Sequence, residues 1–156
     1  MPSRKKGITE ERLLHKKMIE LWKRGESDYC EVRGSNIHGR GVYATTFIPK
    51  DTRVIEYVGE IIDKRESDRR GASQQKKADT TGDAAVYIFT ISKNYDLDGN
   101  VPWNIARLIN HSCAPNCEAC IVGRRIYIDA IRDIQPGEEL SFDYGFDVDC
   151  FDEHPC

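Results

Sequence analysis

The run Arg107-Leu108-Ile109-Asn110-His111-Ser112-Cys113-Ala114-Pro115-Asn116-Cys117 packs a carboxamide, an imidazole, a hydroxyl and a thiol into four consecutive positions after an apolar segment. Asn and His in a turn ordinarily satisfy nearby backbone groups. Such a density of polar types directly after an apolar segment marks a candidate site. A second run, Pro136-Gly137-Glu138-Glu139-Leu140-Ser141-Phe142-Asp143-Tyr144-Gly145, sets a ring and a phenol two positions apart. Residues two apart on an extended strand share a face. Phe142 and Tyr144 would then present a ring and a hydroxyl to one pocket, which suits a greasy chain ending in an amine. The plainer reading of Tyr144 is a buried tyrosine with a satisfied hydroxyl. Cys113 as a nucleophile with His111 as its base is disfavoured, because catalytic Cys and His usually meet from distant parts of a chain.

Three further stretches stand out between these runs and the N-terminus. In Ile37-His38-Gly39-Arg40-Gly41-Val42-Tyr43, two glycines one apart let the backbone approach a ligand without Cβ interference. No third glycine follows and a strand comes next, so this is not the dinucleotide fingerprint. Glu56-Tyr57-Val58-Gly59-Glu60 places a tyrosine beside a strand glycine, a pattern more often of packing than of chemistry. Tyr87-Ile88-Phe89 sets two aromatics on one strand face and, in isolation, reads as a core strand.

The rest of the chain bounds the answer. At 156 residues with 39% apolar content, it predicts one domain with a modest core. The net charge of −3 gives no argument for nucleic-acid or membrane binding. No apolar run approaches the about 20 residues that span a bilayer. The basic start Met1-Pro2-Ser3-Arg4-Lys5-Lys6 lacks the apolar region of a secretory signal. Cys113, Cys117 and Cys120 cluster as free thiols or metal ligands do, so reduced cysteines and an intracellular chain are expected.

Residues 9–24 predict an amphipathic helix with Thr9 as N-cap, Leu14, Met18, Leu21 and Trp22 as its apolar stripe, and Gly25 at its end. A helix packed on the domain edge is the expectation, with a basic arm on a partner as the alternative. Short strands follow at Val42–Ala44, Arg53–Ile62 with Gly59 as an interruption, Val86–Ile91, Arg125–Ile131 and Glu139–Phe146. A small helix is expected at Trp103–Ile109, and 63–83 reads as a flexible insertion or a frayed helix. The fold class is mostly β, with small helices.

Each stretch is weak alone, but their order and type together resemble the SET-domain protein lysine methyltransferases over about residues 30 to 156. The carriers are His38-Gly39-Arg40-Gly41, Glu56-Tyr57-x-Gly59-Glu60, Arg107-x-x-Asn110-His111-Ser112-Cys113-x-Pro115-Asn116, and Gly137-Glu138-Glu139-Leu140-x-Phe142-Asp143-Tyr144. The resemblance implies small twisted sheets with a knot-like C-terminal threading, an exception to the usual rule against threaded chains. It divides the chain into an N-terminal basic helix (1–28), a SET domain (29–146, with 63–83 as a variable insertion) and the start of a post-SET tail (147–156). It also implies S-adenosyl-L-methionine as cofactor, cradled by His38, Gly39, Arg40 and Gly41 and held from the other side by Asn110 and His111, with Tyr87 and Tyr144 in contact. Tyr144 matches the family's catalytic tyrosine. Tyr57, Tyr87 and Phe89 match residues lining the lysine channel, and Phe142 matches the aromatic switch position. A phenylalanine there leaves room for an already methylated nitrogen, so di- or trimethylation is expected.

The implied partner is a protein or peptide lysine, a histone tail first, with no direct nucleic-acid or membrane contact. The alternatives are a methyltransferase of non-histone proteins and a non-catalytic peptide-binding module. The implied location is nuclear chromatin in a eukaryote, and the cytoplasm or a host cell for a bacterial protein. Two departures from the family pattern matter. Leu108 replaces the usual phenylalanine, an apolar exchange. In addition, Cys113 and Cys156 match only two of the four thiolates of a post-SET zinc site, so zinc is expected only where a longer chain completes the tail.

Overall fold

The pattern Arg125–Ala130 alternates as a strand with one buried face should, and it forms the middle of the main sheet. Ile126, Ile128 and Ala130 are buried there at 0%, 0% and 1% exposure. The computed structural model describes residues 3–35, 39–81 and 87–143. Their order is α1 (Ser3–Arg24), β1 (Cys30–Gly34), β2 (Arg40–Ala44), β3 (Arg53–Tyr57), β4 (Glu60–Asp63), α2 (Lys64–Thr81), β5 (Ile88–Thr90) and β6 (Tyr95–Asp98). A 3-10 turn at Ile105–Leu108 is followed by β7 (Asn110–His111), β8 (Cys117–Val122), β9 (Arg125–Ala130) and β10 (Ser141–Phe142).

Among the described residues, four small sheets result, in the orders β1-β2, β3-β9-β8, β4-β6-β5 and β10-β7. All pairs are antiparallel except the last, in which Ser141 faces Asn110 and Phe142 faces His111 in parallel register. One core joins them, with Val42, Ile48, Ile109, Ile134 and Leu140 each at 0% exposure among its members. The interruption expected at Gly59 falls between β3 and β4, where a Cβ would stand 2.7 Å from the Asp98 carbonyl carbon. The segment expected to thread continues past Asp143 and lies outside the described residues.

The insertion is an ordered helix over most of its length. Lys64 and Ser67 both bond the buried Asp96 on β6, and Arg70 bonds Glu60, Glu66 and Asp98. Burial pushes the Asp96 carboxyl up, but the Lys64 and Ser67 hydrogen bonds outweigh it and hold the group below its ordinary value. These long-range bonds hold the helix, which is why composition alone read the segment as frayed.

The first helix departs from expectation in two ways. It begins at Ser3, so Thr9 is no cap. Its apolar stripe is largely uncovered, with Leu14 62%, Met18 40% and Trp22 46% exposed. Its last turn engages the domain. There Trp22 meets Trp103 with ring centroids 6.3 Å apart, Arg24 Nε bonds the buried Glu56 at 3.2 Å, and a Cβ on the buried Gly25 would lie 3.0 Å from Val58 Cγ2. Periodicity shows that a helix has an apolar face, not what that face meets.

Among the described cysteines, Cys30, Cys113 and Cys117 carry free thiols. Burial pushes the Cys30 thiol from 9.0 up to about 11 and the Cys117 thiol up to about 12. Of these three, only the exposed Cys113 is open to reagent. Brief iodoacetamide treatment at about pH 8 should therefore alkylate Cys113 and leave Cys30 and Cys117 unmodified until denaturant is added. Peptide mass mapping checks this, and equal labelling of all three in native protein would contradict the placement.

Candidate functional site

The parallel pairing of β7 with β10 brings the two polar runs together. Asn110 stands opposite Ser141 and His111 opposite Phe142, and Ser112 N donates to Phe142 O at 3.2 Å. The pairing is held from one side by Asn116, buried to 2% exposure. Its Nδ2 donates to Glu139 O and its Oδ1 accepts from Ser141 N, each at 2.9 Å. A side-chain amide thus satisfies strand backbone as a neighbouring strand would.

The glycine turn reaches the same corner. Gly39 has φ +51°, the left-handed region that glycine enters without cost. Asn110 Nδ2 lies 3.2 Å from Arg40 O, 3.1 Å from Ser35 Oγ and 2.8 Å from Glu139 Oε2. Glu139 is the hub of this corner. Its carboxylate also accepts from Ser35 Oγ at 2.7 and 2.8 Å and from Tyr43 OH at 3.0 Å. A Cβ on Gly41 would sit 2.5 Å from Glu139 Oε2, so the turn closes tightly against this carboxylate. On the next residue, His111 Nδ1 lies 3.6 Å from Asp143 Oδ1 and Nε2 lies 3.6 Å from Cys113 Sγ.

Beside the corner lies an aromatic group. Tyr57 and Phe89 meet edge to face at 4.8 Å between centroids, and Phe89 meets Phe142 at 6.1 Å. Tyr57 and Phe142 are buried, at 2% and 3% exposure, whereas Tyr87 and Phe89 are half-buried. The Tyr57 hydroxyl donates to Tyr87 O at 2.9 Å. The Arg107 guanidinium stands 5.9 Å from the Tyr87 ring centroid.

Of the residues singled out in the sequence, Asn110 meets the Gly39–Gly41 turn at one corner, His111 next to it faces Asp143 and Cys113, and Tyr57, Tyr87, Phe89 and Phe142 form the adjoining wall. His38, Tyr144 and Cys156 lie outside the described residues. Among the described residues, no group of three or more His, Cys, Asp or Glu side chains is placed to hold a metal ion. Cys113 is an exposed thiol beside His111, so the described residues do not supply a zinc site.

Sequence reasoning missed Glu139 as a site residue, and Asn104 and Asn116 as braces. The partners of Glu139 lie 104 and 29 positions away along the chain, at Ser35 and Asn110, so no local pattern pointed to it. Asn104, at 0% exposure, accepts from Val58 N and donates to Gly99 O. Nothing local distinguishes it from a turn asparagine.

Comparison with known proteins agrees with this arrangement. The SET domain family matches residues 39–145. The chain is similar to the Schizosaccharomyces pombe histone-lysine N-methyltransferase, H3 lysine-4 specific, at 44% identity over 78% of this chain and 13% of that protein. It is also similar to the histone-lysine N-methyltransferase trithorax of Drosophila virilis, at 42% identity over 76% of this chain and 3% of that protein. Among solved structures, a chain of apo ctPRC2 in an autoinhibited state superposes with a TM-score of 0.66 at 32% identity, covering 80% of this chain and 16% of that one. The chain thus spans only a small part of the relatives it matches. The ordered motifs, the mostly β architecture of small sheets and these similarities together place the chain in the SET-domain family of protein lysine methyltransferases.

Proposed function

We propose that this chain transfers methyl groups from S-adenosyl-L-methionine to the side-chain nitrogen of a protein lysine, with a histone tail as substrate and two or three methyl groups as the product. The observation that carries the reading is the junction at β7 and β10. It sets Asn110 against the Gly39–Gly41 turn and Phe142 against the Tyr57–Phe89 pair. A polar, backbone-rich corner thereby adjoins an apolar wall, as a donor site beside a channel for an alkyl amine requires.

His38, Gly39, Arg40, Gly41, Asn110 and His111 would hold the donor, with Tyr87 and Tyr144 touching it. When bound, the donor supplies a methyl group on a positively charged sulfur. Everything else is alignment, because an in-line displacement needs the nucleophile held opposite the leaving atom. The attacking lysine must be uncharged, yet its ordinary pKa is about 10.4. Walls built from Tyr57, Phe89 and Phe142 exclude water, which disfavours the ammonium form. The same ring faces accept a methylated ammonium through cation–π attraction. Residues 29–146 would form the catalytic unit, with 1–28 a basic helix ahead of it and 147–156 the start of a post-SET tail. Zinc would enter only where a longer chain completes that tail, and a histone substrate implies a chromatin location.

Radiolabelled methyl transfer to core histones, with mass mapping of the modified lysine, tests the reading. Calorimetric binding of S-adenosylmethionine without any transfer would favour a peptide-binding module, and no binding at all would overturn the proposal. Tyr144→Phe serves as the chemical control and should remove most turnover while leaving donor affinity less changed. Phe142→Tyr should shift products toward fewer methyls, because the added hydroxyl occupies space near the amine. Intact-mass analysis reads the outcome, and an unchanged methyl distribution would remove Phe142 from product control.

A further inference from the structure

Helix α2 reaches the aromatic wall through Gln74. Gln74 is 9% exposed in the middle of the helix. Its Oε1 accepts from Tyr87 N at 3.0 Å, and its Nε2 donates to the two oxygens of Asp98 at 3.2 and 3.3 Å. The amide has one allowed orientation, since a backbone N–H can only donate and an ionised carboxylate can only accept. Asp98 is 5% exposed and is further held by Arg70 Nη1 at 3.3 Å and Asn100 N at 3.0 Å. The other side of Tyr87 is fixed to the core, because its carbonyl accepts from Tyr57 OH and from Gly99 N, each at 2.9 Å. Both backbone polar groups of Tyr87 are therefore clamped, one by the insertion helix and one by the core.

We infer that Gln74 and Asp98 are positioning residues for methyl transfer, which carry the placement of α2 to Tyr87 and so to Phe89, two residues further along the wall. The inference rests on the function proposed above and adds that the insertion helix sets the fit of the substrate channel. Gln74 does not touch the corner at Asn110, so its loss should fall on the protein substrate and not on the donor.

Two variants of the full chain test this. Gln74→Leu keeps side-chain size and removes both bonds. The double substitution Gln74→Glu with Asp98→Asn reverses donor and acceptor. The new carboxylate then accepts from Tyr87 N–H and from the NH2 of the new carboxamide, whose oxygen keeps the Asn100 N–H, while Arg70 gives up its contact at position 98 and keeps Glu60 and Glu66. Gln74→Leu should raise KM for core histones about tenfold, the size of one lost hydrogen bond to a charged group. The KM for S-adenosylmethionine should stay within about twofold. Hydrogen exchange at the Tyr87 amide, read by NMR, should quicken at least about tenfold. The double variant should recover both readouts to within about threefold of the parent. A purely structural role would lower the melting temperature and move both KM values together. The inference is overturned by an unchanged histone KM in Gln74→Leu, by unchanged Tyr87 exchange, or by a double variant no better than the single. Should the parent itself transfer no methyl group, the functional reading falls, while Tyr87 exchange still decides whether the clamp exists.

Discussion

Gly99→Ala is expected to destabilise the domain by about 3 kcal/mol, the upper part of the range for forcing an extra methyl into a filled core. A Cβ at this position would lie 2.5 Å from Tyr57 Cζ and 2.6 Å from Asn104 Nδ2. Neither neighbour can retreat. Tyr57 is 2% exposed with its hydroxyl on Tyr87 O, and Asn104 is wholly buried between Val58 N and Gly99 O. Gly99 N is itself bonded to Tyr87 O, so the backbone cannot shift without loosening the aromatic wall. For a chain of this size the melting temperature should drop by about 6–12 °C. Scanning calorimetry checks this, and methyl transfer should fall with it. A variant melting within about 2 °C of the parent would mean that Tyr57 and Asn104 are less tightly held than described.

Glu139→Ala is expected to weaken S-adenosylmethionine binding about a hundredfold, equal to about 2.7 kcal/mol or roughly two hydrogen bonds to a charged group. The carboxylate orders Asn110, Ser35 and Tyr43 at once, and none of these contacts crosses to the aromatic wall. Its removal takes from the Asn110 amide its shortest contact and its one charged partner among those described, leaving the longer ones to Ser35 Oγ and Arg40 O. Glu139→Gln should fall between parent and alanine, since one amide oxygen still accepts while its NH2 opposes donors. Isothermal calorimetry measures both. Donor affinity within about threefold of the parent in Glu139→Ala would show that Asn110 is oriented by other groups.

Much of this architecture was legible in the sequence because it depends on local patterns. The alternation of Ile126, Ile128 and Ala130 has period two, and burial follows it. Gly59 marked a close backbone approach, and the break between β3 and β4 occurs there. The strand expected at Val86–Ile91 is shorter, Ile88–Thr90, and the small helix is a single 3-10 turn. What was not legible depends on partners far along the chain. Glu139 finds Ser35 across 104 positions, and the Tyr57 hydroxyl finds the Tyr87 carbonyl across 30. A propensity argument assigns such side chains a type but not a destination. The stripe on α1 failed in the opposite sense: Leu14 and Met18 have the right spacing, yet the helix leaves the domain before they can meet it.

The two-residue ladder between Asn110–His111 and Ser141–Phe142 is the shortest seam in the molecule's described sheets, and it joins the polar corner to the aromatic wall. A seam of that length can part while the three-stranded sheet behind it stays intact, because local opening needs only the bonds it breaks. A molecule that touches both sides would act as a rivet across it. Donor and substrate should therefore slow amide exchange at Ser112, whose N–H crosses the seam to Phe142 O, far more than in β8 or β9, and each should tighten the other's hold without sharing a single contact.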